Sequence, residues 1–200
     1  ASQCTNCTSG FYCVGGRSPI ACRAGTYNPY FGGSSNSSCL TCEPGYACPD
    51  TGMVAMTVAC SPGYYCPAGT INSRQYACPA GTFSDSTSLV SQSGCSQCPA
   101  GYTCGIATTT ATLSPCRASF YCPAGTSSGN DIACPAGRYS SSSLLKAAAE
   151  CSICPAGSFC SGGETVISGT CERGYFCPIG STVGTQNACP AGTYSNATGL

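Results

Sequence analysis

Histidine and tryptophan are absent from this 200-residue chain, and charge is scarce: seven basic and seven acidic side chains, 7% of the residues, sum to zero. Without histidine, no Ser–His or Cys–His nucleophile pair exists. The seven carboxylates (Glu43, Asp50, Asp85, Asp131, Glu150, Glu164, Glu172) are scattered and form no paired acid/base signature. They read as solvated, and the chain reads as a non-enzyme that needs no cofactor. A zero net charge offers no electrostatic footprint for nucleic acid and no basic patch for anionic lipid. No apolar run approaches the ~18 residues that a membrane span requires. Leu, Ile, Val, Met and Phe are thin and scattered, so an ordinary hydrophobic core is not expected.

Cysteine, glycine and proline are abundant, at 22, 26 and 14 residues. Cysteine at this density is the composition of a disulfide scaffold, and Gly and Pro at this density argue against long helices. A chain with so little apolar area cannot offset its conformational entropy by burial, so crosslinks must replace the core. Crosslinks that persist require an oxidising compartment, which makes the expected location extracellular or the cell surface.

The cysteines are periodic. Cys39-Leu-Thr-Cys42, Cys95-Ser-Gln-Cys98 and Cys151-Ser-Ile-Cys154 lie 56 residues apart, and the cysteines between them recur almost unchanged. This gives a shortened repeat over 1–38, full repeats over 39–94 and 95–150, and a last one over 151–200 that stops short. Inside them runs a smaller module. Eleven segments open with Cys-x-x-Gly followed by an aromatic at the fifth or sixth position, starting at Cys7, Cys22, Cys42, Cys60, Cys78, Cys98, Cys116, Cys134, Cys154, Cys171 and Cys189. Only Ser119 breaks the glycine position. Pro fixes φ and a Gly two residues on permits φ > 0, so Pro-Ala-Gly reads as a tight turn. The aromatic after it (Tyr64, Phe83, Tyr102, Tyr139) is expected against the disulfides and the neighbouring turn. A module this small buries its face only by stacking on its neighbours. The expected fold is therefore one of small disulfide-rich repeats: an elongated rod of short β-hairpins and turns, with little helix and no large hydrophobic core. Ser141–Glu150 is the one helix-like stretch, read as one or two turns or as irregular loop.

The modules are of two kinds. Cys60-Ser-Pro-Gly-Tyr-Tyr-Cys66 carries a second Cys six residues on, whereas Cys78-Pro-Ala-Gly-Thr-Phe-Ser84 has Ser there and its next Cys 17 residues on. Pairing within modules survives the deletion in the shortened copy: Cys7–Cys13, Cys22–Cys39, Cys42–Cys48, Cys60–Cys66, Cys78–Cys95, Cys98–Cys104, Cys116–Cys122, Cys134–Cys151, Cys154–Cys160 and Cys171–Cys177. A rival pairs Cys39–Cys42, Cys48–Cys60 and Cys66–Cys78, at the cost of a tight three-residue step. Each bridge is worth ~2–3 kcal/mol. The Cys-x-x-Cys pairs also admit a zinc reading, but no histidine joins them, and the βαβ context of a redox motif is missing.

Cys-Pro-Ala-Gly-Thr-Tyr/Phe-Ser, a Ser/Gly-rich loop, then Cys-x-x-Cys-Pro-Ala-Gly resembles the ephrin-receptor-like cysteine-rich repeat, a relative in style of tumour-necrosis-factor-receptor modules. The resemblance covers essentially the whole chain. It implies an extracellular repeat, and it adds a third pairing, Cys39–Cys48 with Cys42–Cys60 and Cys66–Cys78. The chain departs from those receptor modules in its added Cys-x5-Cys units and low charge.

Sequons at Asn36, Asn196 and Asn6 are candidate N-glycan acceptors, with Asn36 and Asn196 in the Ser/Gly loops and Asn6 crowded by Cys7. Thr108, Thr109, Thr110 and Thr112 form a candidate O-glycan tract. The leading expectation is a structural protein, a stiff glycosylated rod that self-associates into a surface coat or fibre. The alternative is the stalk or ligand-binding ectodomain of a cell-surface receptor. Cys189 starts a long-loop module whose partner is expected about position 206, so the chain reads as a slice of a longer array.

Overall fold

The computed structural model of the chain describes residues 4–200; residues 1–3 of the first repeat lie outside the described residues. The chain forms two compact bodies, Ala1–Ser96 with Ile106–Ala111, and Gln97–Gly105 with Thr112–Leu200. The same small module builds both.

Each module opens on a turn. In Pro79-Ala80-Gly81-Thr82 the Thr82 N–H donates to the Pro79 carbonyl at 3.1 Å, and Gly81 takes φ +83°. A type II turn demands φ > 0 at its third position, where glycine has no Cβ to clash. The Thr82 hydroxyl donates to the same carbonyl at 2.6 Å. Thr70 on Pro67, Thr126 on Pro123 and Thr193 on Pro190 repeat that brace. Ser119, at the glycine position of its module, accepts φ +71° and donates its hydroxyl to the Ser140 carbonyl at 3.1 Å.

After the turn, two residues run extended and pair with the two residues that precede the next module's first cysteine. Tyr46–Ala47 pairs with Val58–Ala59, Tyr64–Tyr65 with Tyr76–Ala77, and Phe120–Tyr121 with Ile132–Ala133, all antiparallel. Among the described residues there are ten such two-stranded pairs. Among the described residues helix is limited to three-residue 3-10 turns. Asn36–Ser38, Gln92–Gly94 and Ala148–Glu150 each stand directly before a loop-closing cysteine, and Thr110–Thr112 is a fourth. Of the helix-like Ser141–Glu150 stretch, only Ala148–Glu150 turns. Its counterparts have quite different residues, so the place before the closing cysteine sets the turn, not helix propensity.

A two-stranded hairpin is marginal alone, and here each is locked to the next by the fourth-position glycine. In the first body Gly45 N–H donates to the Cys66 carbonyl at 2.8 Å, and the Gly45 carbonyl accepts the Cys60 N–H at 2.9 Å. In the second body Gly157 does the same with Cys177 at 2.8 Å and Cys171 at 2.9 Å. The pair of bonds recurs at Gly10, Gly25, Gly63, Gly101, Gly137 and Gly174. A second joint lies further along each module, at another residue with positive φ: Gly69 N–H donates to the Cys42 carbonyl and Gly180 N–H to the Cys154 carbonyl, both at 2.8 Å. Both backbone groups of the turn are therefore used between modules, which is how so thin a fold satisfies its polar main chain.

Disulfides occupy the interior. Among the described residues twenty apolar side chains are buried, and all but Tyr27, Ala47 and Leu145 are cysteines. Tyr27 lies on the next module's Cys42 and Cys48, flanked by Tyr46, Met53 and Met56. In the second body Tyr121 packs against Cys134, Cys151 and Leu145. The ring of Phe159 fills the space above Gly169 and Gly184, where an added Cβ would fall 2.8 and 3.0 Å from a ring carbon. Aromatic-on-disulfide contact thus stands where a core would be: small disulfide-rich repeats with little helix.

Candidate functional site

The chemistry-bearing residues of this chain are its cysteines, and their geometry decides what they can do. Six bridges close seven-residue loops, Cys7–Cys13, Cys42–Cys48, Cys60–Cys66, Cys98–Cys104, Cys116–Cys122 and Cys154–Cys160, and Cys171–Cys177 is a seventh of that kind. Cys22–Cys39, Cys78–Cys95 and Cys134–Cys151 close the long loops. Their Cα–Cα separations, 5.6 to 6.0 Å, lie in the ordinary disulfide range. The three-residue step and the receptor-like pairing do not occur. The pairs Cys39/Cys42, Cys95/Cys98 and Cys151/Cys154 therefore each split between two bridges, and their sulfurs are committed to S–S bonds and not held as thiolates. Cys4 is a free, exposed thiol and Cys189 a free, half-buried one. Among the described residues no three Cys, Asp or Glu side chains gather as metal ligands.

The long-loop modules replace the missing cysteine with a different device, whose role was not apparent from the sequence. Asn28, Ser84, Ser140 and Ser195 sit six residues after their module's first Cys, and the first three are buried. Each turns its side chain onto its own loop. Asn28 Oδ1 accepts the Tyr30 N–H at 3.1 Å, Ser84 Oγ the Ser86 N–H at 3.1 Å, Ser140 Oγ the Ser142 N–H at 3.1 Å, and Ser195 Oγ the Ala197 N–H at 3.1 Å. These are Asx and Ser turns, in which a short side chain mimics a backbone acceptor. Asn28 does more, donating Nδ2 to the Phe11 carbonyl at 3.0 Å. The available signal was the recurrence of Asn or Ser at that one position.

The carboxylates are not idle on the surface. Asp85 accepts the Thr110 N–H at 2.8 Å, Glu150 accepts the Lys146 N–H at 2.7 Å, and Glu164 accepts the Ser168 hydroxyl. These contacts brace loops; Asp85 and Glu150 are exposed, in keeping with the expected solvation, and Glu164 is half-buried. Glu43, Asp50 and Glu172 are exposed. Asp131 takes two bonds from Arg117, Nε to Oδ2 at 2.6 Å and Nη2 to Oδ1 at 3.1 Å. Arg117 also lies over the Phe120 ring at 4.2 Å. The donated hydrogen bond from Arg117 is the main cause that holds the Asp131 carboxyl below the usual aspartate range; charge attraction adds to it and partial burial opposes it. The pair edges a polar groove of about 500 Å³ with Thr103, Ser114 and Ser128 on its walls.

The candidate glycan acceptors separate by exposure. Asn6, Asn36 and Asn196 are all exposed, and Asn36 is the first residue of a 3-10 turn. Thr110 and Thr112 are exposed and Thr109 is half-buried. Thr108 is buried: it bridges to Phe83, and its carbonyl accepts the Ser84 N–H at 3.0 Å. That backbone joint turns Thr108 inward, so it is not a surface acceptor in the folded chain. No protein-family model matches the chain, and no curated protein matches it.

Proposed function

We propose that this chain is a structural extracellular repeat protein, a stiff glycosylated rod that self-associates in a surface coat or fibre. The observation that supports this most is the joint at the fourth-position glycine. One pair of backbone bonds recurs from module to module, while the side chains that face solvent change freely. What repeats along this chain is a way of stacking and not a constellation of side chains, as in other repeat architectures. Ten disulfides suit an oxidising environment outside the cytosol. The near absence of charge removes electrostatic repulsion between neighbouring copies, and glycans on Asn6, Asn36, Asn196, Thr109, Thr110 and Thr112 supply solubility in its place. No catalytic role is assigned.

The resemblance to ephrin-receptor-like repeats supports the alternative, a receptor stalk or ligand-binding ectodomain, and the groove beside Arg117 and Asp131 is where such a ligand would sit. Electron microscopy with solution scattering on the chain purified from a secreting host separates the two. The structural reading expects extended particles that associate into filaments or sheets as concentration rises. Compact monodisperse particles at all concentrations overturn it.

A further inference from the structure

Two neighbouring aromatics stand in the open on the Cys22–Cys39 loop: Tyr30 is 66% exposed and Phe31 72%. Among the described residues they are the only adjacent pair of large hydrophobics so exposed. The loop beneath them is fixed on both sides. The buried Asn28 holds the Tyr30 N–H and the Phe11 carbonyl, the Gly32 N–H donates to the Cys7 carbonyl at 2.7 Å, and the Gly33 carbonyl accepts the Cys13 N–H at 2.9 Å. The rings are displayed from a fixed backbone, and such a patch in a secreted chain calls for a cover.

The equivalent loops act as internal controls. Where this loop has Tyr30-Phe31, the next long loop has Ser86-Thr87 and the third has Ser142-Ser143. Where this loop has Asn36 in the sequon Asn36-Ser37-Ser38, the others have Gln92 and Ala148 and no sequon. The aromatic pair and the acceptor asparagine are present together in one loop and absent together in the other two. They are also close. Asn36 lies five positions after Phe31, at most about 18 Å away if fully extended, and the segment doubles back: an added Cβ on Gly33 would lie 3.1 Å from Ser38 Cβ. A leucine at that site in the other loops, Leu89 or Leu145, packs inward, whereas Gly33 leaves this loop with its apolar groups outside.

We infer that Asn36 carries an N-linked glycan whose first N-acetylglucosamine lies on Tyr30 and Phe31, the C–H face and acetyl methyl of the sugar covering the rings. The inference rests on the glycosylated extracellular reading above. The covalent step joins Asn36 Nδ2 to the anomeric carbon of a lipid-diphosphate-linked oligosaccharide. The diphosphate leaves from that carbon with the bonding pair, and Nδ2 loses one proton.

The test uses the full chain secreted from a eukaryotic host, trimmed enzymatically to a single N-acetylglucosamine. It is compared with Tyr30→Ser/Phe31→Thr, which installs the residues of the second loop, and with Asn36→Gln. Peptide mass spectrometry reads Asn36 occupancy, and NMR reads the acetyl methyl of the sugar. The expected result is an occupied Asn36, with that methyl shifted upfield by the rings in the parent and not in the double variant. Glycan removal should also raise hydrophobic-dye binding in the parent and leave the double variant unchanged. An occupied Asn36 with the same methyl shift in both proteins overturns the stacking and leaves the glycoprotein reading standing. A bare Asn36 overturns the inference at its root.

Discussion

A Cβ built on Gly45 falls 2.7 Å from the carbonyl oxygen of Ser88, two modules further along the chain. Both residues have positive φ, +90° and +70°. Within its body the module at Gly45 is therefore held against the module two places on as well as the next, and the contact leaves no room for any side chain at the earlier residue. Gly25 meets the Gly69 carbonyl and Gly101 the Leu144 carbonyl in the same way, each at 2.7 Å.

Gly45→Ala should accordingly be severe. A left-handed backbone costs an L-residue roughly 1–2 kcal/mol, and a backbone carbonyl must also move, so a total of about 3 kcal/mol or more is expected. Gly16→Ala is the control: Gly16 also has φ +67°, but nothing lies within 4 Å of its Cβ position. It should lose only the conformational share, about 1 kcal/mol. Denaturant unfolding of both variants without reductant checks the difference, and equal losses would show that the two-module contact is not real.

Ser88 and Ala107 hold the later positive-φ place without being glycine. Ala107→Gly relieves that strain at the expense of a floppier unfolded chain, for a net gain of about 0.5–1 kcal/mol. A raised Tm is the expected readout, and a lowered one contradicts the assignment.

The Asx and Ser turns should rank by their bonds. Asn28→Ala removes two bonds from a side chain 1% exposed, and Ser84→Ala removes one from a side chain 5% exposed. Losses of about 2 and about 1 kcal/mol follow from the usual value of a hydrogen bond whose partner is left behind. Thermal unfolding of the two variants gives the order, which should not invert.

Asp131 sets the acid response. Its folded carboxyl releases the proton more readily than the unfolded one, so the unfolded chain binds more protons there. The stabilisation is complete above the unfolded aspartate pKa, about 4, and is lost as pH falls through the lower folded value. Because Arg117 is 66% exposed, solvent screens the pair and the effect is small. NMR titration of the Asp131 carboxyl should give a midpoint below the ordinary range that moves back up in Arg117→Gln; an unmoved midpoint contradicts the cause.

The hairpin repeat was legible because cysteine and glycine each do one thing: Cys60 and Cys66 bracket a loop, and Gly63 permits the turn between them. Two pairings nonetheless stayed open on spacing and the resemblance added a third, since Cys39 and Cys42 have several cysteines within reach along the chain. What spacing could not carry was the register between modules. The burial of Thr108 goes with its bridge to Phe83 in the preceding module, and Ser84, which braces its own loop through Oγ, also donates its N–H to the Thr108 carbonyl of the following module. The 3-10 turn at Gln92–Gly94 likewise reflects the chain closing onto Cys95 and not any preference of Gln-Ser-Gly.

Loop size also predicts how the bridges differ in worth. Replacing Cys78 and Cys95 by serine frees a loop of sequence separation 17, and replacing Cys60 and Cys66 frees one of separation 6. The chain-entropy account makes these worth about 3 and about 2 kcal/mol.

The most direct test of the account is a disulfide map of the secreted chain, by non-reducing digestion or stepwise reduction and alkylation with mass spectrometry. Closure of every module on itself predicts Cys42 linked to Cys48, Cys60 to Cys66 and Cys78 to Cys95, with thiols only at Cys4 and Cys189. Finding Cys42 linked to Cys60, or Cys39 to Cys42, would contradict it.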